Sequence, residues 1–160
     1  MAGVYAKHSF ALQTWDTLQE IREQWRGNLV VKGVLHPEDA ARAVEEGVNG
    51  IIVSNHGGRN LDCAPAPIEV LPEIVDAVGS QSTVLVDGGF RRGSDIVKAL
   101  ALGAKAVMIG RGTLYGTAAG GEYGADRALS LYRAEIDRIL GLMGVLSPAE
   151  LDRQVLRSSR

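Results

Sequence analysis

Four short apolar runs punctuate the chain: Leu29–Val31, Gly50–Val53, Thr83–Val86 and Ala106–Ile109. Each is rich in Val or Ile, is too short for a helix, and gives way to Gly or a polar residue. Unbroken apolar runs of this kind suit strands buried on both faces, as in parallel sheets. Helix signals fill the gaps. Pro37–Glu46 has proline at its first position, acids at the positive end of the helix dipole and Gly47 at its stop. A second helix lies within Ile68–Val78. Pro72 is expected to begin its regular part, because an internal proline breaks the hydrogen-bond ladder. A third spans Asp95–Leu102, with Ser94 as the expected N-cap and Gly103 past its end. Before the first strand, Thr14 can cap a helix striped by Leu18, Ile21 and Trp25. After the last, Leu129, Tyr132, Ile136, Ile139, Leu140 and Met143 form a longer stripe. Strand starts fall 21 to 33 residues apart. That alternation predicts βαβ units and a parallel α/β sheet.

Composition narrows the function classes. The 160 residues carry a net charge of −2, with 46% hydrophobic and 22% charged positions. A balance this close to neutral argues against nucleic acid as the main partner. Cys63 is the single cysteine. It excludes an internal disulfide and a cysteine-based zinc site, points to a reducing compartment, and is expected to be buried or half-buried. No metal site is expected. No apolar run reaches the ~18 residues of a membrane span, and the first ten residues lack the pattern of a secretory leader. Residues 1–147 are expected to form one α/β unit and residues 148–160 a tail with one short, fraying polar helix. Arg127, Arg133 and Arg138 with Glu135 and Asp137 read as the solvated face of the last helix. His8 and His36 read as surface residues, and Trp15 and Trp25 as packing or edge residues.

The chemistry gathers behind the apolar runs. Residues there should sit at the carboxyl ends of parallel strands, where α/β folds place ligands. The four ends read Lys32-Gly33, then Ser54-Asn55-His56-Gly57-Gly58-Arg59, then Asp87-Gly88-Gly89-Phe90-Arg91, then Gly110-Arg111. Each offers a cation or a histidine beside a glycine. His56 can take a proton near neutral pH, and the Arg59 guanidinium can hold a carboxylate through two parallel hydrogen bonds. A base with a carboxylate clamp fits an enzyme acting on the carbon next to an acid group. The plainer alternative makes His56 a turn cap and Arg59 a solvated side chain. Gly88, Gly89, Arg91, Gly110 and Arg111, with the helix start near Ser94, suit a phosphate. Their alternative is tight-turn glycines with surface arginines. Asp87 needs a hydroxyl or cation partner, which a cofactor's ribityl hydroxyl would supply. Lys32 is either a surface charge or, turned inward beside a redox ring, a stabiliser of developing negative charge.

The stretches VVKGVL, GIIVSNHGGRNLD, VLVDGGFRRGSDIVKALALGA and VMIGRGTLYG resemble the C-terminal half of the FMN-dependent L-2-hydroxy-acid dehydrogenase/oxidase family. That family includes L-lactate dehydrogenase, (S)-mandelate dehydrogenase and glycolate oxidase. The resemblance runs from about Phe10 to Met143, and its wording is nearest to mandelate-type members. It implies a TIM-barrel (β/α)8 fold, represented here by four of the eight parallel strands. It implies FMN as cofactor and oxidation of an (S)-2-hydroxy acid to the 2-oxo acid. By the same resemblance, His56 is the general base and Arg59 binds the substrate carboxylate. Lys32 meets the flavin N1/O2 edge, and Ser54 hydrogen-bonds the isoalloxazine. Asp87, Gly88, Gly89, Phe90 and Arg91 hold the ribityl chain and phosphate, and Gly110 and Arg111 complete the phosphate grip.

The resemblance leaves out the family's first four strands. With them go the substrate-binding tyrosines, further backbone contacts to the flavin and the carboxylate that pairs with the base. Asn60 stands where many relatives carry Gln. Two functions from different classes therefore stand: the C-terminal half of a hydroxy-acid flavoenzyme, or a non-catalytic FMN- or phosphate-binding half barrel. A third, an isomerase of isoprenoid diphosphates, shares the phosphate glycines but has no use for the SNHGGR segment. Four strands leave two open sheet edges, so self-association or pairing with an N-terminal half is expected. The expected location is cytoplasmic, peripheral at the inner membrane for a full-length family member.

Overall fold

A computed structural model describes residues 13–157. Helix α1 (Trp15–Gln24) precedes β1 (Val30–Val34), α2 (Pro37–Glu45), β2 (Gly50–Val53), a 3-10 turn (His56–Gly58), α3 (Pro67–Val78), β3 (Thr83–Asp87), α4 (Gly93–Ala101), β4 (Ala106–Met108) and α5 (Arg111–Met143). The four strands form one sheet in the order β1-β2-β3-β4, and every neighbouring pair is parallel. Sequence order and spatial order coincide, as successive βαβ units in a barrel wall require.

The helices cover one face. Ile51, Val53, Val84 and Val86 turn toward Ala40 and Ala43 of α2 and Leu71 and Ile74 of α3, all in one buried cluster. Small alanines on α2 let that helix sit close to the sheet. The other face is more open: Val30 is 44% exposed and Met108 43%. The register places Lys32, Ile52, Leu85 and Ala106 in one row. Side chains alternate along each strand, so Lys32 and Asp87 share this open face.

Several expected boundaries shift for local reasons. β1 runs on to Val34, so Lys32 lies inside the strand and not at its end. Gly33, at φ 102°, forms an irregularity in the β1–β2 pairing, and Val34 beyond it returns to the core. Pro72 is internal to α3, which starts at Pro67. At that first position a missing N–H has no intrahelical partner anyway. An internal proline costs about 3 kcal/mol. Burial of Leu71, Ile74 and Val78 at about 1.5–3 kcal/mol each outweighs it.

α4 begins at Gly93, and Ser94 is not its cap: Asp95 Oδ2 accepts the Arg91 and Arg92 amides at 3.0 and 2.9 Å. The last helix starts immediately after Gly110 and bends sharply at Gly120 and Gly121, the latter at φ 58°. Its arms, residues 111–119 and 122–143, cross with the backbones of Gly116 and Gly124 in contact. In place of a single helix, the tail forms two 3-10 turns, Pro148–Glu150 and Arg153–Val155. Arg153 ties the second to α3 through Asp76 and the Pro72 carbonyl.

His8 lies outside the described residues. His36 is exposed and caps α2 by accepting the Glu38 amide. Trp15 stacks under Arg42 at 4.4 Å, and Trp25 is 56% exposed. Cys63 is exposed, contrary to expectation. It stands in the loop between the 3-10 turn and α3.

Candidate functional site

The turn after β2 is built from its own polar side chains. Ser54 is fully buried, and its Oγ accepts the His56 amide at 3.1 Å. Asn55 Oδ1 accepts the Gly57 amide at 3.0 Å, and its Nδ2 donates to the Pro65 carbonyl. These bonds hold three successive left-handed residues: His56 (φ 55°), Gly57 (φ 71°) and Gly58 (φ 75°). A histidine at positive φ is uncommon, and the conformation lifts its ring to an exposed rim. Gly33 makes room for that ring: a Cβ there would lie 2.7 Å from His56 Nε2.

Lys32 links three strands. Its Nζ donates to Ser54 Oγ at 2.8 Å and lies 2.9 Å from Asp87 Oδ2. The Lys32 side chain is about one-third exposed and the Asp87 side chain less so. Asp87 Oδ1 is buried without a hydrogen-bond partner among the described residues. A carboxylate oxygen left in that state is destabilising unless something else donates to it.

Beyond β3, Gly88 (φ 100°) and Gly89 (φ 82°) turn the chain back over the strand ends. Arg91 lies over the Tyr115 ring at 5.8 Å. Beyond β4, Arg111 opens α5 and donates to the Gly57 carbonyl at 3.0 Å, joining the fourth strand end to the second. Among the described residues nothing stands within 4 Å of a Cβ built on Gly89 or Gly110, so both backbones border open space.

A cleft of about 270 Å³ lies at this rim, bordered by Lys32, His56, Arg59, Asp87, Arg91 and Arg111 with the backbones of Gly88, Gly89 and Gly110. Two expected residues reach it differently. Ser54 is buried beneath the rim and borders Lys32. The Phe90 side chain is 6% exposed and belongs to the core, so its backbone is what faces the loop. From sequence, Gly33 and Asn55 read only as strand-end neighbours, Tyr132 as part of an apolar stripe and Glu135 as a solvated charge, with no part in the site. The asparagine before His-Gly-Gly was legible as a turn former. The other three depend on contacts far along the chain. Glu135, expected to be solvated, is 26% exposed and bonds the start of α4.

Residues 2–158 match the family model described as FMN-dependent dehydrogenase. (S)-mandelate dehydrogenase from Pseudomonas putida is 53% identical over 89% of this chain and 36% of its own length. Pre-mycofactocin synthase from Mycolicibacterium smegmatis is 55% identical over 82% of this chain and 33% of its own. The solved structure of monotopic membrane protein (S)-mandelate dehydrogenase superposes with a TM-score of 0.89 at 52% identity, over 92% of this chain and 39% of that one. The chain thus spans between 33% and 39% of the length of these relatives.

Proposed function

The chain belongs to the FMN-dependent dehydrogenase family, and from that premise we propose that it forms the cofactor- and base-bearing half of a hydroxy-acid oxidoreductase. The substrate class is an (S)-2-hydroxy acid of the L-lactate or mandelate type, and the product is the 2-oxo acid. One observation carries the reading. Lys32 joins β1, β2 and β3 beneath a single cleft that His56, Arg59, Arg91 and Arg111 all border.

The residues suit FMN on grounds of their own. The orphaned Asp87 Oδ1 can accept a ribityl hydroxyl. The open backbones at Gly89 and Gly110, with Phe90, Gly88, Arg91 and Arg111 beside them, suit the phosphate. Lys32 would present its ammonium to the flavin edge where negative charge develops, and Ser54 would orient that lysine. In becoming the 2-oxo acid the substrate loses two electrons and two protons. FMN, when bound, would accept both electrons together with one of the protons. His56 would take the other proton onto its imidazole while Arg59 holds the carboxylate in place.

Identity is about equal to relatives with different names, the mandelate enzyme and the synthase. That supports assigning cofactor handling to these residues and choice of substrate side chain to other parts of the relatives. Edge strands β1 and β4 and the open sheet face support a partner that supplies four more strands. The partner would be an N-terminal half or a second copy, and sedimentation of a clean monomer at micromolar concentration would count against the second copy. Among the described residues no helix is long and apolar enough to cross a membrane. We propose that the whole enzyme is cytoplasmic and peripheral at the inner membrane, a reading supported by the relative described as a monotopic membrane protein; recovery in the soluble fraction at low salt, before any salt wash, would argue against the membrane.

The test is anaerobic. The purified chain should take up FMN, turn yellow and bleach on addition of L-lactate or (S)-mandelate. A His56→Ala variant should keep the colour and lose the bleaching. Colour without bleaching in the unsubstituted chain would favour the non-catalytic half barrel. That alternative has one observation behind it: no carboxylate bonds the His56 imidazole among the described residues. Failure to bind FMN would overturn both readings.

A further inference from the structure

The loop carrying residues 88–93 is held from behind by the second arm of α5. Tyr132 Oη donates to the Phe90 carbonyl at 3.2 Å in a buried contact. One turn further along, Glu135 Oε2 accepts the Gly93 amide at 2.6 Å and the Arg92 Nε at 3.2 Å, while Oε1 pairs with Arg92 Nη2 at 2.8 Å. The elements touch directly here: a Cβ at residue 93 would lie 2.8 Å from the Ile136 amide nitrogen. With Asp95 accepting the amides of Arg91 and Arg92, two carboxylates take up three successive donors at the start of α4. A helix start whose amides are already taken by two carboxylates has no N–H left to offer a phosphate. The amides of Gly88, Gly89 and Phe90 have no such partner among the described residues.

We propose that Glu135 is a positioning residue for the cofactor phosphate. It seals the α4 N-terminus and fixes Arg92 and Gly93, so that the phosphate is taken by the 88–90 backbone, Arg91 and the Gly110–Arg111 corner. This assignment rests on the FMN reading above. Glu135 touches no part of the cleft itself and acts only through the loop.

The test compares FMN with riboflavin, which lacks the phosphate, using quenching of flavin fluorescence by the full chain. Glu135→Ala should weaken FMN about tenfold and leave riboflavin unchanged. Glu135→Gln keeps an acceptor for the Gly93 amide but loses the charge opposite Arg92. It should weaken FMN by a smaller factor and serves if the alanine variant does not fold. Equal losses for both flavins would mark a general structural role and overturn the proposal. So would unchanged FMN affinity in both variants. If the unsubstituted chain binds neither flavin, the FMN reading itself has failed.

Discussion

Lys32 Nζ lies 2.9 Å from Asp87 Oδ2, so the first strand neutralises the third across β2. The pair sits on the open face of the sheet, with the lysine 34% and the aspartate 18% exposed. Removing one partner of a fully buried pair costs about 3–5 kcal/mol. Partial exposure lowers that here. Lys32→Met should therefore destabilise the chain by about 1–3 kcal/mol, because it leaves Asp87 without either a cation or a donor. Adding Asp87→Asn should recover part of the loss. Urea unfolding of the two single variants and the double variant measures the coupling directly.

Gly33 and the His56 ring share one space, and this gives a second prediction. Gly33→Ala puts a methyl 2.7 Å from Nε2 at a backbone angle of φ 102°. It should cost about 1–3 kcal/mol and displace the imidazole, seen as shifted His56 ring resonances. Gly47→Ala carries similar backbone strain at φ 85° but meets only the Arg22 side chain. It should lower stability and leave the His56 resonances in place.

The Arg153–Asp76 pair should make the tail sensitive to acid. The hydrogen bond from Arg153 holds the Asp76 carboxyl below its ordinary value of 3.8. A depressed carboxyl contributes its stabilisation above that value and loses it as pH falls further, through the folded-state pKa. Both groups are well exposed, so the effect stays local. Amide protection factors around Arg153, with the intrinsic pH dependence of exchange divided out, should fall below pH 3.8 and stay level between pH 5 and 8. Asp76→Asn should show the low protection at every pH.

Gly116 and Gly124 allow the two arms of α5 to cross backbone to backbone. Alanine at either position would drive its Cβ into the other's carbonyl, which nothing flexible can relieve. Each substitution should destabilise by about 3 kcal/mol or more, or prevent the second arm from docking. Thermal unfolding measures this. Gly141→Ala is the control, since a Cβ there meets nothing within 4 Å.

The parallel sheet and its cleft were legible because they are written locally. Apolar runs gave the strands, and the Gly-rich polar segments behind them gave the rim. Features set by distant contacts were not. Pro72 stays helical because Leu71, Ile74 and Val78 are buried around it. Glu135 reads as one charge among several on a helix face until α5 is seen to fold back at Gly121 and bring it to Gly93. Lys32 reads as a strand-end residue, either a surface charge or turned inward, because nothing local shows that β1 continues past the irregularity at Gly33 to Val34. Cys63 was misplaced because small size alone does not bury a residue in a loop.

If the rim of the sheet holds one flavin mononucleotide, with its phosphate over the β3 and β4 loops, backbone amide resonances of the isotopically labelled chain will report it in an FMN titration. Saturable shifts are expected at Gly88, Gly89, Gly110 and Arg111, with riboflavin leaving those four largely unmoved. Shifts confined to the apolar cleft between α1 and β1, lined by Trp15, Leu18 and Val30, would contradict it.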